Sequence, residues 1–356
     1  MKQLKVVHIT ETLATGVLTY LKDLSSVIAK DKDVHNIIIY SGLRKGTDIT
    51  SIPKSTTLVE LNMAKEIHPV QDSKSFIALY KELKRLDPDV IHAHSSKAGI
   101  LGRLVSTLLG AKIKVFYTAH GFAFLRKDIS VVKRRFFYGV EKLVSFLSRS
   151  TIVACGDTEL EYAKKLGNAI LVRNGVDLSK LSDYYSPNSN GVVTIGILSR
   201  LTFARNPKFF NEIALTFPEV NFLWIGDGEL RHLITAPNVK VTGWFTDKKE
   251  GYAHLNKVDI YLQTSLWEGL PIAVLEAMAF SKPVVASNVI GNKDAVAHTE
   301  TGYLYNNFEE ARIYIARLIN NEELRQRLGA NGLKRCSQYF EIQKNFSELV
   351  SVYRTT

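Results

Sequence analysis

Glu268-Gly-Leu-Pro-Ile-Ala-Val-Leu-Glu276, running on into Ala277-Met-Ala-Phe-Ser-Lys-Pro-Val-Val285, is the stretch that decides the fold. Gly-Leu-Pro reads as a loop, the apolar run after it as a buried helix, and Pro-Val-Val as the next strand. Pro271 suits the first turn of that helix, where its missing N–H costs nothing. The helix N-terminus offers free N–H groups and a positive dipole end to an anion. Glu268 stands before the loop and Glu276 inside the helix. Carboxylates so placed can hold hydroxyls on either side of a bound phosphate. Glu276 lies between Leu275 and Ala277, where an unpaired acid would be costly.

Working outward, the second half alternates strands with helices. Strands are expected at 192–198, 221–225, 240–242, 259–262 and 283–286, and helices at 206–215, 247–256, 271–280, 307–319, 322–338 and 341–353. The first half repeats the pattern. Its strands are expected at 4–9, 36–40, 90–92, 115–118 and 152–154, and its helices at 17–29, 73–86, 96–109, 130–148 and 158–166. Such alternation argues for parallel sheets covered on both faces. Tyr184-Tyr-Ser-Pro-Asn-Ser-Asn-Gly191 is the best linker in the chain. The expectation is an α/β protein of two doubly wound, Rossmann-like domains, 1–187 and 188–340, with the helix of 341–356 crossing back onto the first. Ligands of such sheets bind at the carboxyl ends of strands, so a cleft between the domains is the expected site.

A length of 356 residues fits two ordinary domains, and 46% apolar residues fit a globular protein. Cys155 and Cys336 lie far apart, which argues for a reducing compartment. No run of about twenty apolar residues marks a membrane span. The N-terminus enters a strand directly, without the pattern of a signal peptide, so a cytoplasmic location is expected. Residues 1–187 carry +10 of the net +11 charge. A basic half can face nucleic acid, an anionic membrane or an anionic substrate, but no nucleic-acid module is legible. Arg126-Lys127 and Lys133-Arg134-Arg135-Phe136-Phe137-Tyr138 mix cations with aromatics, as a membrane-surface helix does. A solvated helix face with its aromatics in the core fits equally well.

Three further motifs precede Glu268 in order. Ser199-Arg200-Leu-Thr-Phe-Ala-Arg205 follows the first strand of the second half and sets two cations five residues apart. Gly226-Asp-Gly228 ends the next strand, and Val241-Thr-Gly243-Trp-Phe245 the one after. This series resembles the E-x7-E, Arg–Lys and Gly-x-Gly elements of retaining glycosyltransferases with two Rossmann-like domains, called family 4 or GT-B. The second cation, usually Lys, is here Arg, which still binds a diphosphate and does so bidentately. In the first half, Thr118-Ala-His120-Gly-Phe122 matches the family's active-site histidine. Gly16 opens the first helix where relatives have a Gly-Gly pair. His92-Ala-His94-Ser-Ser-Lys97 resembles a segment of enzymes that build lipid-linked polysaccharide units; with no third ligand at metal spacing, a structural role is expected. Asp87-Pro-Asp89 reads as a helix-to-strand turn and Asn174-Gly-Val-Asp177 as a turn towards the linker.

The resemblance implies a sugar moving from a nucleoside diphosphate to a hydroxyl acceptor, a lipid-linked saccharide of capsule or exopolysaccharide synthesis, at the inner face of the cell membrane. Arg200 and Arg205 would hold the diphosphate, Glu276 the ribose, Glu268 the sugar hydroxyls and His120 the sugar near its reacting carbon. Gly16, Gly226, Gly228, Gly243, Gly269, Leu270 and Pro271 would line the donor site. No metal, cofactor or nucleic acid is expected. The alternatives are a nucleotide-sugar epimerase of similar fold, or a basic membrane- or RNA-binding protein without activity.

Overall fold

The computed structural model describes residues 3–13, 15–43, 49–63, 68–182, 184, 191–245 and 247–355. Most of the expected linker lies outside them. The chain parts into two compact units, Met1–Arg173 with Ile342–Thr356, and Asn174–Glu341.

Unit 1 is a seven-stranded parallel sheet, order β3-β2-β1-β4-β5-β6-β7. Its strands are β1 (Leu4–Thr10), β2 (Val34–Tyr40), β3 (Thr57–Glu60), β4 (Val90–His94), β5 (Lys114–Thr118), β6 (Thr151–Ala154) and β7 (Ala169–Leu171). The helices are α1 (Thr15–Ile28), α2 (Pro69–Leu86), α3 (Ser96–Leu109), α4 (Val131–Ser148) and α5 (Asp157–Leu166). The central strands β4 and, from Val6 on, β1 are buried on both faces, as strands with helices above and below are, histidines included. α13 (Ile342–Thr355) closes one face, placing Phe346, Leu349 and Tyr353 in a core with Leu21, Ile38 and Phe116.

Charge is buried under α4. Arg103 is fully buried and meets Glu141 Oε2 at 2.5 Å. Tyr117 donates its hydroxyl to Glu141 Oε1 at 2.9 Å, and its ring lies 3.8 Å from the Arg103 guanidinium. The outer face of α4 has the opposite character. Val132, Phe136, Leu143 and Phe146 recur at helical spacing and are exposed, Phe146 by 79%. Lys133, Arg135, Lys142 and Arg149 flank them, also exposed. Phe136 is thus outside the core, while Phe137 and Tyr138 are half-buried against it. Arg134 is half-buried too, donating to the Phe124 carbonyl at 2.9 Å.

Unit 2 opens with α6 (Leu178–Ser182). Its six-stranded parallel sheet has the order β10-β9-β8-β11-β12-β13. The strands are β8 (Thr194–Leu198), β9 (Asn221–Ile225), β10 (Val239–Val241), β11 (Ile260–Gln263), β12 (Val284–Ser287) and β13 (Gly302–Tyr305). They are covered by α7 (Pro207–Thr216), α8 (Lys248–Asn256), α9 (Ile272–Ala279), α10 (Asn292–Ala295), α11 (Phe308–Ile319) and α12 (Glu322–Tyr339). Both sheets reverse direction of growth beside their first strand, the switch point at which open α/β sheets take ligands. Cys155 and Cys336 are buried thiols, not joined in a disulfide.

Candidate active site

In unit 2 the loops after β8, β9, β10 and β11 converge through their own backbone. Gly226, at φ +128°, tucks under the Ser199 carbonyl, where a Cβ would stand 2.3 Å away. A Cβ on Gly228 would meet the Leu201 carbonyl at 2.4 Å. Leu201 N–H donates to the Asp227 carbonyl at 2.9 Å, so the Gly-Asp-Gly turn fixes the strand end that carries Arg200. Thr242 Oγ1 accepts the Gly226 N–H at 2.9 Å and donates to the Gly243 carbonyl at 3.1 Å, tying the third turn to the second. Arg205 is anchored from the other side, because Thr264 Oγ1 donates to its carbonyl at 2.5 Å.

Each carboxylate is held by one oxygen. Glu268 is buried, and its Oε1 takes Arg205 Nη1 at 2.6 Å, Gln263 Nε2 at 2.8 Å and Ser265 Oγ at 2.8 Å. Glu276 is equally buried, and its Oε1 takes Tyr252 Oη at 2.9 Å and Lys248 Nζ at 3.2 Å. Neither Oε2 has a partner among the described residues. Burial of an acid is tolerable because each is paired, and the second oxygen stays open for a hydroxyl. Arg200 pairs with Glu229 at 3.7 Å, and is a third exposed.

Pro271 sits one position earlier than the sequence suggests, as the N-cap of α9, with φ −74° and ψ 111°. Its carbonyl takes the first helical N–H, from Val274 at 3.1 Å. The preceding Leu270 is buried, and Asn174 donates Nδ2 to its carbonyl at 2.9 Å, a tie the reading of Asn174 as a turn residue misses. Gly269 is backed by Gly291, at φ +82°, where a Cβ would fall 1.7 Å from the Gly269 carbonyl.

In unit 1, His120 follows β5 at φ +54°, a left-handed conformation that costs a non-glycine residue about 1 kcal/mol or more. Gly121 continues the turn at φ +103°, its N–H given to buried Glu159 at 3.1 Å. Tyr20, one turn into α1 from Gly16, packs its ring 4.8 Å from His120. Gly16 itself is exposed, with open space where a side chain would stand. Behind His120 lies a cluster that spacing alone hides. Parallel register pairs His8 with His92, so His8, His92 and His94 share one face of the sheet. Their ligand atoms lie within 4.8 Å of one another, so the third histidine does exist, on another strand. His94 Nδ1 meets His120 Nε2 at 3.1 Å. Burial pushes His120 down to about 4, His8 to about 3, and His92 and His94 well below their usual range. All are therefore neutral near pH 7.

Two units of this topology, one carrying paired carboxylates, guanidinium groups and a helix N-terminus at its strand ends, define a GT-B glycosyltransferase. Comparison with known proteins agrees. Residues 14–180 match the model of Glycosyltransferase Family 4, and residues 195–335 that of Glycosyl transferases group 1. The chain is 30% identical over 275 residues to UDP-Gal:alpha-D-GlcNAc-diphosphoundecaprenol alpha-1,3-galactosyltransferase of Escherichia coli, covering 68% of each. It is 25% identical to the capsular polysaccharide biosynthesis glycosyltransferase CapM of Staphylococcus aureus, over 100% of this chain and 98% of that one. Among solved structures, sucrose-phosphate synthase from Thermosynechococcus elongatus superposes with a TM-score of 0.83 at 16% identity, covering 99% and 98% of the chains. Anabaena HepE in complex with UDP-glucose gives 0.78 at 16%, covering 99% and 100%. The chain belongs to the family 4 glycosyltransferases, related to those of capsule and lipid-linked sugar synthesis.

Proposed function

We propose that the protein moves a hexose, with retention of anomeric configuration, from a nucleoside diphosphate to a hydroxyl of a lipid-diphosphate saccharide. The observation that carries this is the state of the two glutamates: each is pinned through Oε1 and keeps Oε2 open, flanking the N-terminus of α9. Glu276 takes the ribose hydroxyls and Glu268 those of the donor sugar. Arg200 and Arg205 hold the diphosphate, where charge develops as the glycosidic bond breaks; fixed cations there stabilise the transition state. His120 contacts the sugar near its reacting carbon. The acceptor attacks from the face the diphosphate leaves, and the leaving phosphate takes its proton. No divalent metal is needed, because the guanidinium groups supply its charge.

The relatives support donor and acceptor class: one is named for UDP-galactose and a diphosphoundecaprenol acceptor, and one neighbour was solved with UDP-glucose. The outer face of α4, apolar along its middle and basic along its edges, suits the surface of an anionic membrane, where such an acceptor resides. No helix among the described residues is long and apolar enough to cross a membrane. We place the protein on the inner face of the cell membrane. The test is transfer from a panel of UDP-sugars to a short-chain lipid-diphosphate saccharide in chelator, with the product anomer read by NMR. An α-linked product, formed without metal, is expected. An inverted linkage, dependence on added magnesium, or release of epimerised donor alone would refute the reading.

A further inference from the structure

The imidazoles of His120, His94 and His8 form a line that ends inside the protein. His8 Nδ1 meets His94 Nε2 at 3.0 Å, and His94 Nδ1 meets His120 Nε2 at 3.1 Å. The inner nitrogen, His8 Nε2, is buried with no partner among the described residues. His8 and His94 are wholly inaccessible to solvent. His92 stands aside from the line: its Nδ1 meets Tyr353 Oη at 2.5 Å and its Nε2 meets Thr118 Oγ1 at 2.8 Å. Every nitrogen of His92 and His94 thus has a hydrogen-bond partner within the fold.

Proton counting fixes the line's behaviour. A neutral imidazole has one N–H donor and one acceptor nitrogen. His94, neutral and bonded at both nitrogens, must donate one bond and accept the other. The two bonds therefore run in the same direction. If they ran inwards, His8 would bury an N–H with no acceptor, which folded proteins rarely tolerate. Running outwards, they leave only a bare lone pair at the dead end. His120 then accepts at Nε2 and carries its own proton on Nδ1, which has no partner among the described residues. A line closed at one end cannot conduct protons to solvent. It can only orient.

We infer that His8 and His94 are positioning residues that lock His120 in the Nδ1–H tautomer, so that it meets the bound nucleotide sugar as a hydrogen-bond donor to an oxygen. The inference rests on the proposed contact between His120 and the donor sugar. The locked ring cannot act as a general base through Nδ1, and the acceptor's proton is left to the phosphate. Fixing a histidine's tautomer through its second nitrogen is a common way to set what the first one does.

The test uses the whole chain labelled with ¹⁵N-histidine at neutral pH. His120 is expected to show a protonated Nδ1 and a bare Nε2; the reverse tautomer, or a mixture, would overturn the lock. Stoichiometric zinc in the purified protein would overturn it too, since the lone pairs would then belong to the metal. His8→Asn offers an amide N–H where the ring Nδ1–H stood, and is expected to keep both tautomer and rate. His8→Leu offers none. With UDP-galactose or UDP-glucose, whichever is turned over, its kcat is expected to fall about ten- to a hundredfold, the cost usual for losing a group that orients a ligating histidine, with KM little changed. Equal kinetics for the two variants would refute the positioning role. Full transfer by His120→Ala, beside a correct tautomer in the spectrum, would instead overturn the sugar contact.

Discussion

Acidification should unfold unit 1 far above the pH at which carboxylates titrate. The cause is the core of His8, His92 and His94, each with no solvent-accessible surface. Burial holds all three neutral, with His8 brought to about 3 from an ordinary 6.5 and the other two also far down. In the unfolded chain they protonate near 6.5. Below that pH the unfolded state binds more protons, so stability falls as pH falls. Between pH 7 and pH 5 the linkage is worth roughly 2 kcal/mol for His8, with about a third of it gone by pH 6, and His92, His94 and His120 act in the same direction. A domain's whole stability is about 5–15 kcal/mol, so the effect is decisive. The assay is urea unfolding of the chain at pH 7, 6 and 5, followed by far-UV circular dichroism. His92→Phe should remove one of the protons taken up on unfolding and flatten the pH dependence. Unfolding free energies that agree within 1 kcal/mol across this range would refute the account, because the histidines would then be charged or hydrated in the fold.

Gly291→Ala should cost several kcal/mol or displace the Glu268 loop, since its Cβ would fall 1.7 Å from a backbone oxygen at φ +82°; a melting temperature and kcat equal to the parent's would show that the contact yields freely. Glu276→Ala should raise the KM for the nucleotide sugar and Glu268→Ala should lower mainly kcat, because a contact made equally in ground and transition states affects KM alone. Wild-type kinetics for both would remove the carboxylates from the donor site. Lys133→Ala with Arg135→Ala should weaken binding to phosphatidylserine vesicles about thirtyfold at low salt, at about 1 kcal/mol per cation, while donor hydrolysis stays unchanged. Absence of vesicle binding by the parent would end the membrane reading.

The long elements were legible because amphipathic period and turn chemistry agree over ten or more residues, as in α3 and α4. The strands β3, β7 and β13 were not: each is a short strand at the edge of its sheet, and β3 and β13 lack the apolar run that marked the equally short β12. The same distinction governs the site. Glu268 and Glu276 stand in one contiguous loop and helix, so their pairing is written locally. Their holders are not: Gln263 ends a strand, and Lys248 and Tyr252 come from the helix before it. Nothing in the spacing of His8 announces His92, because only sheet register brings them together. Arg134 looked like its neighbours in a basic run, yet the turn at Phe124 claims it.

The ion pair beneath α4 has a mechanical consequence. Apolar contacts hold a helix on a sheet through area and shape, without directional bonds. Arg103 and Glu141 add a directional constraint, because any roll would strand a charge out of contact and out of water. The azimuth of α4 is thereby keyed to β5 through Tyr117, the shared partner of both charges. Through that key, the bearing of the outward stripe of Val132, Phe136, Leu143 and Phe146 is tied to the sheet.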